Sequence, residues 1–208
     1  RVLLILCEKI AKITFQGHTF VLSRYFTYVG LSLLYGLITL GVRGREQSDV
    51  IPTAYVIYFM FSNLIFTAQS TTLAMSRRRP KIKVEIGGDM YGPIAYWAVS
   101  SLIGLLVSSI SAFCNLPMTY ALLDFGWSSF MQLWLLTTLL SLFLDAASEL
   151  LMFSELPTGM LFTGMMALHS AFSCGLLVPT RDIIWPLKLS TYILPGRFYM
   201  TAALNLIF

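Results

Sequence analysis

The chain has 208 residues, of which 57% are hydrophobic and only 12% are charged, whereas about 25% of the residues of an ordinary soluble domain are charged. Several uncharged stretches are longer than any helix or strand in the core of a soluble domain needs to be, which excludes a soluble globular protein. The formal net charge of +4 does not indicate nucleic-acid binding, because the basic residues cluster between apolar segments instead of covering one surface.

The first twenty residues have the pattern of an amphipathic helix. Apolar side chains recur on one side at Leu3, Leu6, Ile10 and Ile13, and Glu8 precedes Lys12 by one helical turn. The pattern predicts an interfacial helix over residues 1–20 that lies on the inner leaflet. The alternative is a terminal extension of the first membrane span.

Five uncharged runs are long enough to cross a bilayer, since a hydrocarbon core of about 30 Å needs about 20 helical residues. We therefore predict an all-α, polytopic integral membrane protein that forms a single domain over residues 1–208. The predicted transmembrane helices cover residues 24–42, 51–75, 93–117, 126–150 and 157–179, and an exterior amphipathic segment follows over 180–208. Because an interior proline removes a helical hydrogen bond, we expect the third span to end near Pro117.

Positive charge sets the predicted orientation. Between the second and third spans lies a basic cluster of five residues: Arg77, Arg78, Arg79, Lys81 and Lys83. Cytoplasmic segments of membrane proteins carry an excess of lysine and arginine, so this cluster and the N-terminus are predicted to face the cytoplasm.

Small and polar residues inside the spans mark predicted contacts between helices. Close helix packing is expected along a stripe of the third span formed by Ser100, Gly104, Ser108 and Ala112. Asp145 and Glu149 share one face of the fourth span, either as a proton or cation relay or as structural partners of the arginines in the basic cluster. Asn63 and His169 form either hydrogen bonds between helices or contacts to a substrate.

Catalytic and metal-binding motifs are not predicted anywhere in the chain. We find no phosphate-binding glycine loop followed by lysine, no zinc-protease helix and no nucleophile elbow. The three cysteines, Cys7, Cys114 and Cys174, are too widely spaced to indicate a disulfide framework or a zinc site.

Three segments, in their order and spacing, resemble the transmembrane domain of the G-type ATP-binding-cassette exporters, the white and pleiotropic-drug-resistance kind. The first runs from Arg77 to Glu85 and continues to Tyr91 and Tyr96, the second is the Phe172 to Pro179 stretch, and the third extends from Ile183 to Asn205.

This resemblance implies the membrane part of an ATP-driven exporter of lipids, sterols or amphipathic drugs. We expect the protein in the plasma membrane, with an organelle membrane as the alternative. ATP and Mg²⁺ would bind a nucleotide-binding domain outside this chain, and a second membrane domain or a larger membrane assembly would complete the transporter. The resemblance assigns a coupling loop to Arg77, Arg78, Arg79, Glu85 and Tyr91, and a substrate path to Phe59, Asn63, Phe66, Met166 and His169. The alternative function is a structural subunit that keeps the same membrane fold without transporting.

Overall fold

The computed structural model describes residues 2–16, 18–38, 50–123, 125–151 and 181–208, together with 161, 164–165, 168–170, 172, 174–176 and 178–179. The helices are α1 (Val2–Gln16), α2 (His18–Ile38), α3 (Val50–Gly87), α4 (Pro93–Leu123), α5 (Phe130–Leu151), α6 (Leu187–Ile193) and α7 (Pro195–Ile207). A single 3₁₀ turn, Trp127–Ser129, precedes α5. The predicted all-α class is confirmed for these described parts of the chain.

Among the described residues, two helical segments are long and apolar enough to cross a bilayer, Pro93–Leu123 and Trp127–Leu150, and two shorter apolar segments are Tyr25–Ile38 and Val50–Ile65. These four segments overlap the first four predicted spans. Most of the predicted fifth span, 157–179, falls outside the described residues, although those described between 161 and 172 are helical. The number of spans therefore stays a prediction.

Helix α3 extends well beyond its predicted span. Its 38 residues correspond to about 57 Å, so its C-terminal part projects out of a hydrocarbon core of about 30 Å. The basic cluster lies on this projecting part, and the expectation that it forms a loop is wrong. Arginine and lysine favour helix, and Ile82, which is 6% exposed, lies one turn from the half-buried Ile86 on the face that packs against the protein.

Helix α4 continues through Pro117 to Leu123, so the expected end at Pro117 is wrong. Proline cannot donate the hydrogen bond to the carbonyl of Phe113. Burial on both sides of the proline outweighs this loss, because Leu116 is 0% exposed and Tyr120 is 1% exposed in the protein core.

The main core joins five helices around large buried side chains. Its central members are Tyr28 of α2, Phe61 of α3, Leu116 of α4, Leu133 of α5 and Tyr199 of α7. The rings of Phe61 and Tyr199 stack with centroids 5.7 Å apart. Tyr199 is therefore a core residue, whereas Trp185 and Tyr192 of the same C-terminal segment are exposed.

A second, smaller core cluster lies between α1 and the first half of α4. It contains Leu6, Ile10, Tyr91, Val99, Ile103 and Val107. The apolar face of α1 thus packs on protein, where contact with lipid was expected, and the exposed apolar side chains among the described residues of α1 include those of Leu4 and Ile5. The predicted Glu8 and Lys12 pair is confirmed, with Nζ and Oε1 2.6 Å apart.

Candidate functional site

Glu85, in the last turn of α3, ties three parts of the chain together. Its Oε1 lies 2.8 Å from Nζ of Lys9 on α1. The hydroxyl of Tyr91, just before α4, donates a hydrogen bond of 2.6 Å to its Oε2. We call these three residues the Glu85 junction.

The turn after α3 explains why Tyr91 returns to Glu85. The amide of Gly88 donates to the carbonyl of Val84 at 2.9 Å, and the amide of Met90 donates to the carbonyl of Glu85 at 3.2 Å. Between them Asp89 has a φ of 52°, in the left-handed region that aspartate tolerates better than most residues. This tight reversal ends the helix and directs the next side chains back onto its last turn.

Aromatic contacts extend the Glu85 junction towards α4. The ammonium group of Lys9 lies 5.8 Å from the ring centroid of Tyr91, within cation–π range. The ring of Tyr91 in turn stacks on Tyr96, with centroids 5.8 Å apart and an interplanar angle of 18°. The junction is therefore continuous with the first turn of α4.

The charges of the Glu85 junction are complementary. The hydrogen bond from Lys9, followed by the one from Tyr91, lowers the pKa of Glu85 below its ordinary value. Burial, followed by the hydrogen bond to Glu85, raises the pKa of Tyr91. At neutral pH the carboxylate is therefore ionised and the phenol is protonated, which are the states that the hydrogen bond between them requires.

Of the residues predicted to couple, Glu85 and Tyr91 are in direct contact. Arg78 and Arg79 are half-buried on α3, and the side chain of Arg77 lies outside the described part of the structure. Sequence reasoning missed Lys9, because no pattern connects a residue of α1 with one so distant in the chain. A single carboxylate directly after five cations was the available signal that Glu85 forms an ion pair, but it did not indicate which cation is the partner.

Further along α4, two of its serines form hydrogen bonds with buried carboxyl groups of α5. Ser108 Oγ donates a hydrogen bond of 3.0 Å to Asp145 Oδ2, and Ser100 Oγ donates to Glu149 Oε1. The serines of the predicted small-residue stripe thus donate hydrogen bonds as well as allowing close packing. The other oxygen of Glu149, Oε2, has no hydrogen-bond partner among the described residues.

Two of the predicted path residues, Phe59 and Asn63, lie one turn apart on α3. Phe59 is 40% exposed and stacks on Tyr35 of α2, with ring centroids 4.8 Å apart. Asn63, one turn later, is 2% exposed, and its Oδ1 has no hydrogen-bond partner among the described residues. His169 is half-buried.

The structure does not describe the side chains of the remaining two predicted path residues. The side chain of Phe66 and the whole of Met166 lie outside the described residues. The part of the chain that is described also contains no cluster of three or more histidine, cysteine, aspartate or glutamate side chains that could hold a metal ion.

The family model for the ABC-2 type transporter matches residues 1–208, so the matched region includes the Glu85 junction, both buried carboxyl groups and the predicted path residues. No curated protein matches the chain.

Proposed function

The chain belongs to the ABC-2 type transporter family, and on that premise we propose that it forms the membrane path of a G-type ATP-driven exporter of lipids or amphipathic small molecules. Membership makes it an integral membrane protein and the transmembrane part of an ABC-type exporter. The observation that carries the proposal is the family match over all 208 residues. The three segments that resemble white and pleiotropic-drug-resistance exporters support the narrower class.

In this proposal the chemistry of ATP belongs to a nucleotide-binding domain outside residues 1–208, in the same polypeptide or in a partner chain, which binds ATP and Mg²⁺. The chain itself receives the movement of that domain at the basic cluster. Because Glu85 contacts both Lys9 and Tyr91, a displacement of the end of α3 also displaces α1 and the start of α4. The hydrogen bond from Ser100 to Glu149 then extends the displaced unit to α5.

The proposed substrate path is lined by one face of α3 and by the segment that contains His169. Its residues are Phe59, Asn63, Phe66, Met166 and His169. Aromatic and apolar side chains suit the ring or chain of an amphipathic substrate, and a buried amide offers one hydrogen bond to its polar group. A second membrane domain completes the path, in a dimer or a larger assembly, and the plasma membrane is the proposed location.

The experiment that tests this function uses proteoliposomes that contain the chain with its nucleotide-binding partner. We expect ATP to drive export of a fluorescent phospholipid or a rhodamine dye, and non-hydrolysable nucleotide to leave the same vesicles inactive. Persistent ATP hydrolysis without movement of any lipid or amphipathic dye would contradict the proposal.

Asn63 provides the matched test of the path. We expect Asn63→Leu to reduce transport of substrates that carry a hydroxyl or amide group by about tenfold, since a lost hydrogen bond to a buried group costs about 1–2 kcal/mol. Asn115 is the control, because it is also buried, at 1% exposed, with an unpartnered Oδ1 among the described residues, but lies on α4. An equal loss of transport in Asn115→Leu would contradict the proposal that Asn63 lines the substrate path.

A further inference from the structure

A cavity of about 220 Å³ opens beside the Glu85 junction, between α1, the projecting part of α3 and the start of α4. Nothing in the coupling role proposed above requires an empty space at this position. Its lining residues are of two kinds, apolar ones (Leu6, Ile10, Ile82 and Tyr96) and charged or polar ones (Lys9, Arg78, Lys81, Glu85 and Tyr91).

The charged part of the lining favours an anion. It contains three cations and one carboxylate, and the carboxylate of Glu85 already has Lys9 and Tyr91 as partners, at 2.8 and 2.6 Å. Lys81 is exposed at the rim of the cavity. The net positive charge therefore suits a phosphate group, for which arginine and lysine are the usual protein partners.

The helices that form the cavity also carry exposed apolar side chains outside its lining. Leu4 and Ile5 on α1 are 75% and 65% exposed, and Ile94 at the start of α4 is 80% exposed. In an integral membrane protein such side chains belong in the acyl layer, whereas the neighbouring lysines belong in the headgroup layer. The cavity combines the same two environments, with an apolar wall and a cationic rim.

We propose that this cavity binds the phosphate headgroup of an anionic phospholipid from the leaflet that faces the basic cluster. The phosphate lies between Arg78 and Lys81, and the adjoining glycerol and first acyl carbons lie against Leu6, Ile10 and Ile82. The volume is below the roughly 300–1,000 Å³ of pockets that enclose whole small ligands, which fits a headgroup whose chains remain in the bilayer. The proposal does not depend on transport, so each can fail without the other.

The test measures lipid binding to the purified full chain in detergent, without nucleotide. Native mass spectrometry counts bound dioleoyl phosphatidylglycerol against dioleoyl phosphatidylcholine, and inorganic phosphate is added as a competitor. We expect phosphatidylglycerol to bind in preference to phosphatidylcholine. We also expect Lys81→Ala to weaken phosphatidylglycerol binding about fivefold, since one cation near an anionic lipid surface contributes about 1 kcal/mol.

Lys83→Ala is the matched control, because Lys83 is an exposed lysine of the same helix and basic cluster that does not line the cavity. Binding within about twofold of wild type in this variant supports the cavity. Equal losses in both variants would mean diffuse attraction to the surface and would overturn the proposal, as would no preference for phosphatidylglycerol. Displacement of the lipid by millimolar inorganic phosphate would overturn the lipid assignment in favour of a free anion.

A second variant tests the apolar wall. Ile82→Ala shortens a side chain that lines the cavity and leaves every cation in place, so we expect it to weaken phosphatidylglycerol binding. The melting temperature of each variant without lipid checks that the chain is folded. Unchanged lipid affinity in folded Ile82→Ala would contradict the proposed contact with the lipid chains.

Discussion

Ser100 and Ser101 are neighbours on α4 whose hydroxyl groups have opposite surroundings. Ser100 Oγ donates a hydrogen bond to the buried carboxyl group of Glu149, whereas Ser101 Oγ is buried without a hydrogen-bond partner among the described residues. A buried polar atom stabilises a fold only when it has a partner. Replacing each serine in turn therefore shows how much the hydrogen bond between α4 and α5 contributes to the free energy of unfolding.

We predict that Ser100→Ala lowers the free energy of unfolding by about 1 kcal/mol, as is typical of hydrogen bonds between membrane helices. Ser101→Ala removes no hydrogen bond among the described residues and is expected to leave the free energy of unfolding unchanged. Thermal unfolding of the purified chain in detergent makes the comparison. Equal decreases in melting temperature for both variants would show that the bond to Glu149 does not stabilise the helix pair.

The ionisation of Glu85 is expected to make the stability of the chain depend on pH. Its pKa is lowered in the folded chain, so its stabilising contribution is present above its unfolded pKa of about 4.3 and is lost as pH falls through the folded value. We expect Glu85→Gln to lower the free energy of unfolding by about 1 kcal/mol at pH 7. The difference from wild type should shrink as the pH falls below about 4.

The control for this measurement is Glu8→Gln. Glu8 also pairs with a lysine, but both side chains are largely exposed, at 66% and 63%, and exposed pairs contribute little. Melting temperatures from pH 3.5 to 8 separate the two variants. A constant difference between wild type and Glu85→Gln across that range would mean that the ionised carboxylate is not what stabilises the Glu85 junction.

At the scale of elements, α2 and α4 approach closely at one glycine. A Cβ atom added to Gly36 would overlap Cδ1 of Leu122 and lie 3.1 Å from its Cβ, whereas one added to Gly30 on the same helix meets nothing within 4 Å. Close approach of backbones is the main source of affinity between membrane helices. Gly36 is therefore a packing position, and Gly30 is not.

We predict that Gly36→Ala lowers the free energy of unfolding by about 1–3 kcal/mol, because α2 or Leu122 must move. Gly30→Ala is expected to leave it unchanged or raise it by up to about 1 kcal/mol, since alanine favours helix over glycine. Both melting temperatures can be measured in the same detergent. Gly36→Ala at least as stable as wild type would refute the close approach of these helices.

Much of the helical architecture was predictable from the sequence, because uncharged runs of about 20 residues have few alternatives in lipid. Helix ends were less predictable. Pro117 has the local chemistry of a helix end, but burial of Leu116 and Tyr120 extends α4 past it. Likewise, the charges of the basic cluster suggested a loop, whereas α3 continues through the cluster as a helix with Ile82 buried on one face.

The candidate site was predictable only in part for the same reason. Glu85 and Tyr91 are six residues apart, so the turn between them could bring them together and the sequence could point to both. Lys9 reaches Glu85 through tertiary packing of Leu6 and Ile10 on α4. Such contacts between distant segments have no periodic signature in a single sequence.

At the scale of the whole molecule, α4 connects the two core clusters. Its first half, with Val99 and Ile103, belongs to the cluster beside the Glu85 junction, and its second half, with Leu116 and Tyr120, belongs to the main core. A packed helix moves as a unit more easily than it bends. Movement at the junction is therefore expected to reach the core that surrounds Phe61.

The central proposal is that the Glu85 junction transmits movement from a nucleotide-binding domain to the membrane helices. The most direct measurement is the number of substrate molecules exported per ATP hydrolysed in proteoliposomes, for wild type, Glu85→Gln and the control Glu8→Gln. We predict that Glu85→Gln continues to hydrolyse ATP but exports on the order of tenfold fewer molecules per ATP, as loss of a coupling free energy of about 1–3 kcal/mol implies, whereas Glu8→Gln matches wild type. An unchanged ratio in Glu85→Gln would contradict the claim.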